Sequence, residues 1–250
     1  MIRVGTAGWA IPRASAHAFP AEGTTLERYA SLLSAAEINS SFYRPHRNDT
    51  YRRWAACVPF DFRFSVKLPR AITHERRLVE VEPLLEIFLG QVEALGPRLG
   101  ALLVQLPPSL AFDERSAVTF FDGLRRRFEG AVVCEPRHPS WFGPPGERLL
   151  EERGIGVVAA DPPRSPAGLA PGGWGGIAYF RLHGSPRTYW SAYGRDFLER
   201  LAIQLGEERA AETWCVFDNT ASGAAATDAL KLAALLAKRR RPSSGTNQPG

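Results

Sequence analysis

The sequence predicts an α/β fold: a single domain closed as a (β/α)8 barrel of the TIM type, with irregular chain in place of a regular sixth helix. Three observations predict it. Short apolar segments alternate with helix-period segments from one end to the other, with no second compositional zone. Eight such units within 250 residues fit a closed barrel better than a doubly wound sheet. Polar residues able to do chemistry recur just after the apolar segments, where a parallel barrel gathers them at one rim.

The elements follow in order. Arg3-Val4-Gly5-Thr6 is the first strand, and Ala7-Gly8-Trp9 leaves it as a loop. Thr24 or Thr25, with Glu27 near the third helical position, signals a cap for a helix over Leu26 to Ala35. Leu26, Tyr29, Ala30, Leu32 and Leu33 form its apolar stripe. Ala36 to Asn39 is the second strand and Asn48 to Cys57 the second helix. Phe62 to Lys67 alternates cleanly as the third strand, and its loop holds Thr73-His74. Glu82 to Leu95 is a helix stopped by Gly96-Pro97. Ala101 to Leu106 is a continuous apolar run, the pattern of a strand covered on both faces. Glu114 to Phe128 is a helix, Ala131 to Glu135 a strand, Gly146 to Arg153 a helix, and Ile155 to Ala160 a strand ending at Asp161. Pro162 to Gly176 is rich in Pro and Gly and replaces a helix with loop or single turns. Gly176 to Leu182, Asp196 to Leu205, Trp214 to Phe217 and Ala224 to Ala237 complete the alternation as strand, helix, strand and helix.

The barrel domain is therefore expected over 1–237, with 238–250 a disordered basic tail. The formal charge of +5 looks like a nucleic-acid signal, but Lys238, Arg239, Arg240 and Arg241 supply four of it, leaving 5 − 4 = +1 on the body. A nucleic-acid partner is thus not the favoured reading. No apolar run has the length of a leader or a membrane span, and Cys57, Cys134 and Cys215 lack paired spacing. A cytoplasmic protein with reduced thiols and no membrane partner is expected.

The densest polar stretch is Glu135-Pro136-Arg137-His138-Pro139-Ser140-Trp141, directly after three apolar residues. The two prolines forbid further strand or helix there, so Glu135 closes its strand and the rest forms the rim. Arg137 suits a carboxylate or phosphate, His138 a general acid or base, and Trp141 an apolar wall. Glu37 and Asn39 lie two apart and share a strand face, as do Arg181 and His183. Tyr189 follows as an aromatic surface, while Gln105, Asp161 and Asn219 stand at further strand ends, and His74 lies in the third loop. Lys67 is one of only three lysines among 31 cationic residues, so its compact ammonium at a strand end has a particular use there. In this reading Glu135, His138, His183 and Glu37 are catalytic. Lys67, His74, Gln105, Arg137, Trp141, Asp161, Arg181, Tyr189, Asn39 and Asn219 bind substrate. No H-E-x-x-H or similar local spacing supports a metal, and no G-x-S-x-G supports a nucleophilic serine. No cofactor is indicated.

Several segments together resemble the DUF72, or YecE-like, family. They are Gly5-Thr6-Ala7-Gly8-Trp9, Glu37 through Arg44, Lys67 with Thr73-His74 and Arg77-Leu78, Gln105 through Ser109, Glu135 through Trp141, Phe180 through Gly184, and Phe217 through Thr220. The chain departs from the usual pattern at Ala7, where Ser is common, at Ile11, where an aromatic is common, at Pro136, which interrupts the Glu-x-Arg-His step, and at Asp218, where Asn is frequent. The resemblance implies a TIM-type barrel in a bacterial or archaeal cytosolic protein and brings no settled reaction. The expected function is that of an enzyme, hydrolase- or isomerase-like, acting on a small anionic or phosphorylated, sugar-like substrate by acid–base chemistry at the C-terminal mouth. The alternatives are a metal-dependent phosphoesterase or isomerase and a non-catalytic nucleic-acid- or partner-binding protein.

Overall fold

Alternating apolar residues make Ile2–Ala7 (β1) a strand buried along its length, and it anchors the sheet between the chain's last strand and its second. The computed structural model describes residues 1–240. The parallel strands that follow are Ala35–Ile38 (β2), Arg63–Lys67 (β3), Leu99–Gln105 (β4), Ala131–Glu135 (β5) and Ile155–Val157 (β6). Ala159–Asp161 (β7), the two-residue strand Gly172–Gly173 (β8), Ile177–Leu182 (β9) and Glu212–Phe217 (β10) complete the set. Each strand from β10 through β1 to β6 pairs in parallel with the next.

Closure falls on the expected sixth strand, which is split. Its first half, β6, pairs with β5, and its second half, β7, pairs with β9, so the two halves join the ends of the sheet. Their junction is Val158, whose N–H still donates to Cys134 O at 2.8 Å. The Pro- and Gly-rich segment after it forms one short turn, Pro166–Leu169, and β8, which runs antiparallel to β6.

Helices Thr25–Ala30 (α1), Asn48–Ala56 (α2), Glu82–Val92 (α3), Glu114–Arg125 (α4), Pro144–Glu152 (α5), Arg195–Glu207 (α6) and Ala224–Arg240 (α7) cover the outside. Thr24 and Glu27 form the reciprocal cap that starts α1. That helix ends earlier than its apolar stripe suggested, because Ala35 is needed in β2 and Ser34 turns back to accept a hydrogen bond from Val4 N–H. The Thr73-His74 loop is a wound turn, Ala71–Glu75, rather than open chain. Lys238 and Arg239 continue α7 through its last turn instead of starting a tail; the rest of the expected tail, 241–250, lies outside the described residues.

Two apolar layers result. A large outer cluster fills the space between strands and helices, and a small inner one of Ala35, Ala101, Leu103, Val133, Val158, Ile177, Tyr179, Trp214 and Val216 fills the barrel axis. The inner set fixes the parity of every strand: residues two positions on from its members face the axis one layer higher.

Candidate active site

That next layer is polar. Stepping two residues from Ala35, Ser65, Leu103, Val133, Tyr179 and Val216 gives Glu37, Lys67, Gln105, Glu135, Arg181 and Asp218. All six are buried, and they converge on Arg181, which is fully inaccessible. Each of the five guanidinium N–H groups meets an oxygen. Nε and Nη2 grip Glu37 at 3.0 and 2.7 Å, Nη1 reaches Gln105 at 3.1 Å and Glu135 at 2.5 Å, and Nη2 also reaches Asp218 at 3.1 Å. Tyr179, one layer below, donates to Glu37 at 3.2 Å and shares a hydrogen bond with Ser65 at 2.7 Å.

His183 sits above, two residues beyond Arg181, with Nδ1 3.0 Å from Asp218 and Nε2 3.2 Å from Glu135. Both ring nitrogens face carboxylate oxygens that only accept, so both carry protons. Burial pulls the imidazole toward neutrality, but Glu135 and the bonds to Asp218 and Glu135 outweigh it and raise its pKa. Burial likewise acts to raise the Glu135 carboxyl, and Arg181, Arg137 and His183 reverse this and hold it well below the usual range. Arg137 contributes through Nε and Nη2, each 2.8 Å from Glu135 Oε1.

Lys67 is the exception. Its side chain is 6% exposed, and Nζ lies 4.1 Å from the centre of the Phe42 ring. Among the described residues it makes no ion pair, because Arg181, Arg137 and His183 hold the nearby carboxylates. Burial, and then Arg181, push its pKa down to about 8, with Glu37, Glu135 and Asp218 only partly offsetting them. His74 packs edge-on against the same Phe42 ring and bonds Thr73 Oγ1 through Nδ1 at 2.9 Å. Burial and three cations, Lys67, Arg137 and Arg70, push it down to about 4, so it is neutral at pH 7. With His183 charged, four cations (Lys67, Arg137, Arg181, His183) face three carboxylates (Glu37, Glu135, Asp218). The surplus charge rests on Lys67.

The rim adds Tyr189, which stands edge-on to His183 with ring centres 5.6 Å apart and adopts φ +66°. A positive φ is a strained backbone for an aromatic residue. Burial works against the charge of Arg137, and Glu135, ahead of Tyr189, more than restores it. Gly184, at φ +93°, lets the chain turn immediately after His183, and a Cβ there would meet Ser191 O at 2.9 Å. Asn39 is half-buried, and its Oδ1 is buried without a partner among the described residues. A cleft of about 380 Å3 opens beside the mouth and shares Phe42 with the Lys67 contact.

Glu37, Lys67, His74, Gln105, Glu135, Arg137, Arg181, His183 and Tyr189 are thus brought together. Four other residues point elsewhere. Asp161 pairs with Leu182 rather than Arg181, so it has outward parity and accepts from the Tyr193 hydroxyl at 2.7 Å. Asn219 also turns outward, donating to Ser191 O at 2.9 Å and Asp228 at 2.8 Å. Trp141 is buried against Phe112 and Phe121, its indole N–H on Leu110 O at 2.9 Å, so it forms outer core instead of a wall of the mouth. His138 caps the short turn Pro139–Phe142 through Ser140 and makes no hydrogen bond to the central cluster. Arg181, expected to hold an anion, has no donor left for one. Asp218, Tyr179, Ser65 and Phe42 were missed. Parity from Val216 picks Asp218 over its neighbour Asn219; nothing in the sequence picks Phe42.

Comparisons with known proteins bear on the family and the fold. The family model described as "Protein of unknown function DUF72" matches residues 3–249. The UPF0759 protein YecE of Escherichia coli strain K12 is 32% identical over 167 residues, 64% of this chain and 59% of that protein. The match thus spans less than two thirds of that relative's length. A DUF72 family protein from Thermotoga maritima MSB8 superposes with a TM-score of 0.77 at 26% identity, covering 95% of this chain and 99% of that one. Another from Enterococcus faecalis V583 gives 0.78 at 22% identity, covering 95% and 96%. With the family pattern matched over nearly its whole length and the fold shared from end to end, the chain belongs to the DUF72 family.

Proposed function

We propose that the chain is an enzyme that binds a small anionic compound, phosphorylated or carboxylated and of sugar size, at the C-terminal mouth of its barrel and transfers protons there. The observation that carries the reading is the unpartnered ammonium of Lys67 in a cluster with one more cation than carboxylate. An incoming anion supplies the missing charge through charge-assisted hydrogen bonds. The rim around His74 favours it too, since Lys67, Arg137 and Arg70 all act on that ring. Arg181 is not the anion's ligand in this reading: it holds Glu37, Glu135 and Asp218 in place, a positioning role. Lys67, with its pKa near 8, exchanges protons readily close to neutral pH. His183, charged between two carboxylates, is a second acid at the same rim.

A divalent metal at Glu37, Glu135, Asp161 and His183 is disfavoured because Arg181 and His183 already engage the two glutamates, both His183 nitrogens carry protons, and Asp161 accepts from Tyr193 outside the cluster. The nucleic-acid alternative leaned on the basic C-terminus, of which 241–250 lie outside the described residues.

Thermal melts with phosphate, sulfate and sugar phosphates test the proposal against a chloride control. An anion at a hundredfold excess over its Kd stabilises the fold by about 2.7 kcal/mol. The gain should vanish in Lys67→Met and shrink in Arg137→Ala. If no anion raises the wild-type Tm above chloride, the reading fails.

A further inference from the structure

Lys67 has a second property that anion binding alone does not require. A lysine buried for structural reasons takes a carboxylate, and three carboxylates lie within this cluster. Most of their oxygens are engaged elsewhere: both of Glu37 on Arg181, Glu135 on Arg181, Arg137 and His183, and Asp218 Oδ2 on Arg181 and His183; Asp218 Oδ1 makes no hydrogen bond but, like the rest, forms no ion pair with Nζ among the described residues. The amine is left over the Phe42 face, 4.1 Å from the ring centre, at the C-terminal end of β3 where the barrel opens. A desolvated lysine beside another cation is the arrangement that activates an amine as a nucleophile toward carbonyl carbon.

We infer that Lys67 captures an aldehyde or ketone as a covalent iminium at Nζ. The inference rests on the proposed function only for the expectation that this carbonyl compound also carries the anionic group. The chemistry balances without a co-reactant. The neutral amine adds to the carbonyl carbon, and a proton passes from nitrogen to oxygen to give a carbinolamine. The C–O bond then breaks as C=N forms. Counted from the ammonium, lysine and carbonyl give iminium and water, and both protons of that water come from the original ammonium. The iminium keeps the positive charge where the ammonium had it, so Glu37, Glu135 and Asp218 face the same sign before and after. Burial and Arg181 assist the first step: with a pKa of about 8, roughly one amine in ten is neutral at pH 7, against fewer than about one in a thousand at the ordinary value.

The test is reductive trapping. The protein is incubated at pH 7.5 with sodium cyanoborohydride and one of four probes: dihydroxyacetone, dihydroxyacetone phosphate, glycolaldehyde or pyruvate. Adducts are then located by peptide mass mapping. Lys231, exposed on α7, is the internal control for indiscriminate labelling. The expected result is labelling of Lys67 at least tenfold faster than Lys231, with the charged probes ahead of the neutral ones, and no adduct at position 67 in Lys67→Arg, whose fold is checked by its melt. Labelling of Lys67 no faster than Lys231 with every probe overturns the inference, even where anions raise the Tm. Equal labelling by dihydroxyacetone and its phosphate sustains the nucleophile and sinks the anion-binding reading instead.

Discussion

Arg181 and Lys67 make opposite predictions from one physical cause, the cost of removing charge from water. Arg181 offsets that cost with five hydrogen bonds, so removing one partner strands a buried charge. Glu37→Gln or Arg181→Met should destabilise the fold by about 3–5 kcal/mol. For a chain of this size that is a Tm fall of roughly 10 °C, at about 2–4 °C per kcal/mol. Arg181→Lys should not rescue it, because an ammonium cannot span Glu37, Gln105, Glu135 and Asp218 at once. Lys67 has no compensating ion pair among the described residues, so Lys67→Met should leave stability at pH 7 equal or higher. Calorimetry on the two variants checks both signs. A stable Arg181→Met, or an unfolded Lys67→Met, contradicts the accounting.

At the scale of elements, strand parity decides what was legible in the sequence. The alternation in Phe62 to Lys67 and the i, i+2 pairs Glu37/Asn39 and Arg181/His183 exposed most of the inward layer. Continuous apolar strands hide their parity. Asp161 and Asn219 therefore read as rim residues, although Ala160 and Val216 are the register partners of Arg181. Trp141 and His138 lie past the strand end, where Pro136 and Pro139 break the period and side-chain direction depends on packing. The split of the sixth strand had no signal either, because both halves are apolar and differ only in their partners. Gly5 shows how tight the inner layer is. It pairs with Ala35, and a Cβ at Gly5 would run into the Ala35 carbonyl. Gly5→Ala should push β1 from β2 and cost about 1–3 kcal/mol, as overpacking does. Denaturant titration reads this directly, and a neutral result would mean the strands tolerate separation at the mouth.

Across the whole molecule, closing the barrel places β2, β3, β5, β9 and β10 around one axis and forces their charges into a single balance. That balance makes stability depend on pH. Lys67 has a lower pKa folded, about 8, than the ordinary 10.5 of an unfolded chain. Between those values the unfolded chain binds more protons, so stability rises with pH through the window and is lost again below it. The full effect is about 3 kcal/mol. Tyr29, which burial keeps protonated in the fold, acts oppositely at high pH, so the readable quantity is wild type minus Lys67→Met. His74 works at the acid end: its folded pKa of about 4 lies below the ordinary 6.5, so its contribution fades as pH falls from 6.5 toward 4. No helix among the described residues is long and apolar enough to cross a membrane. The most direct test of the surplus charge is the titration of Lys67 itself by 13C NMR of lysine-labelled protein. With only three lysines in the chain, its signal is assigned by its loss in Lys67→Met. The account predicts a midpoint near pH 8 in the free protein that moves upward when phosphate is added. A midpoint at the ordinary value, unmoved by phosphate, would contradict it.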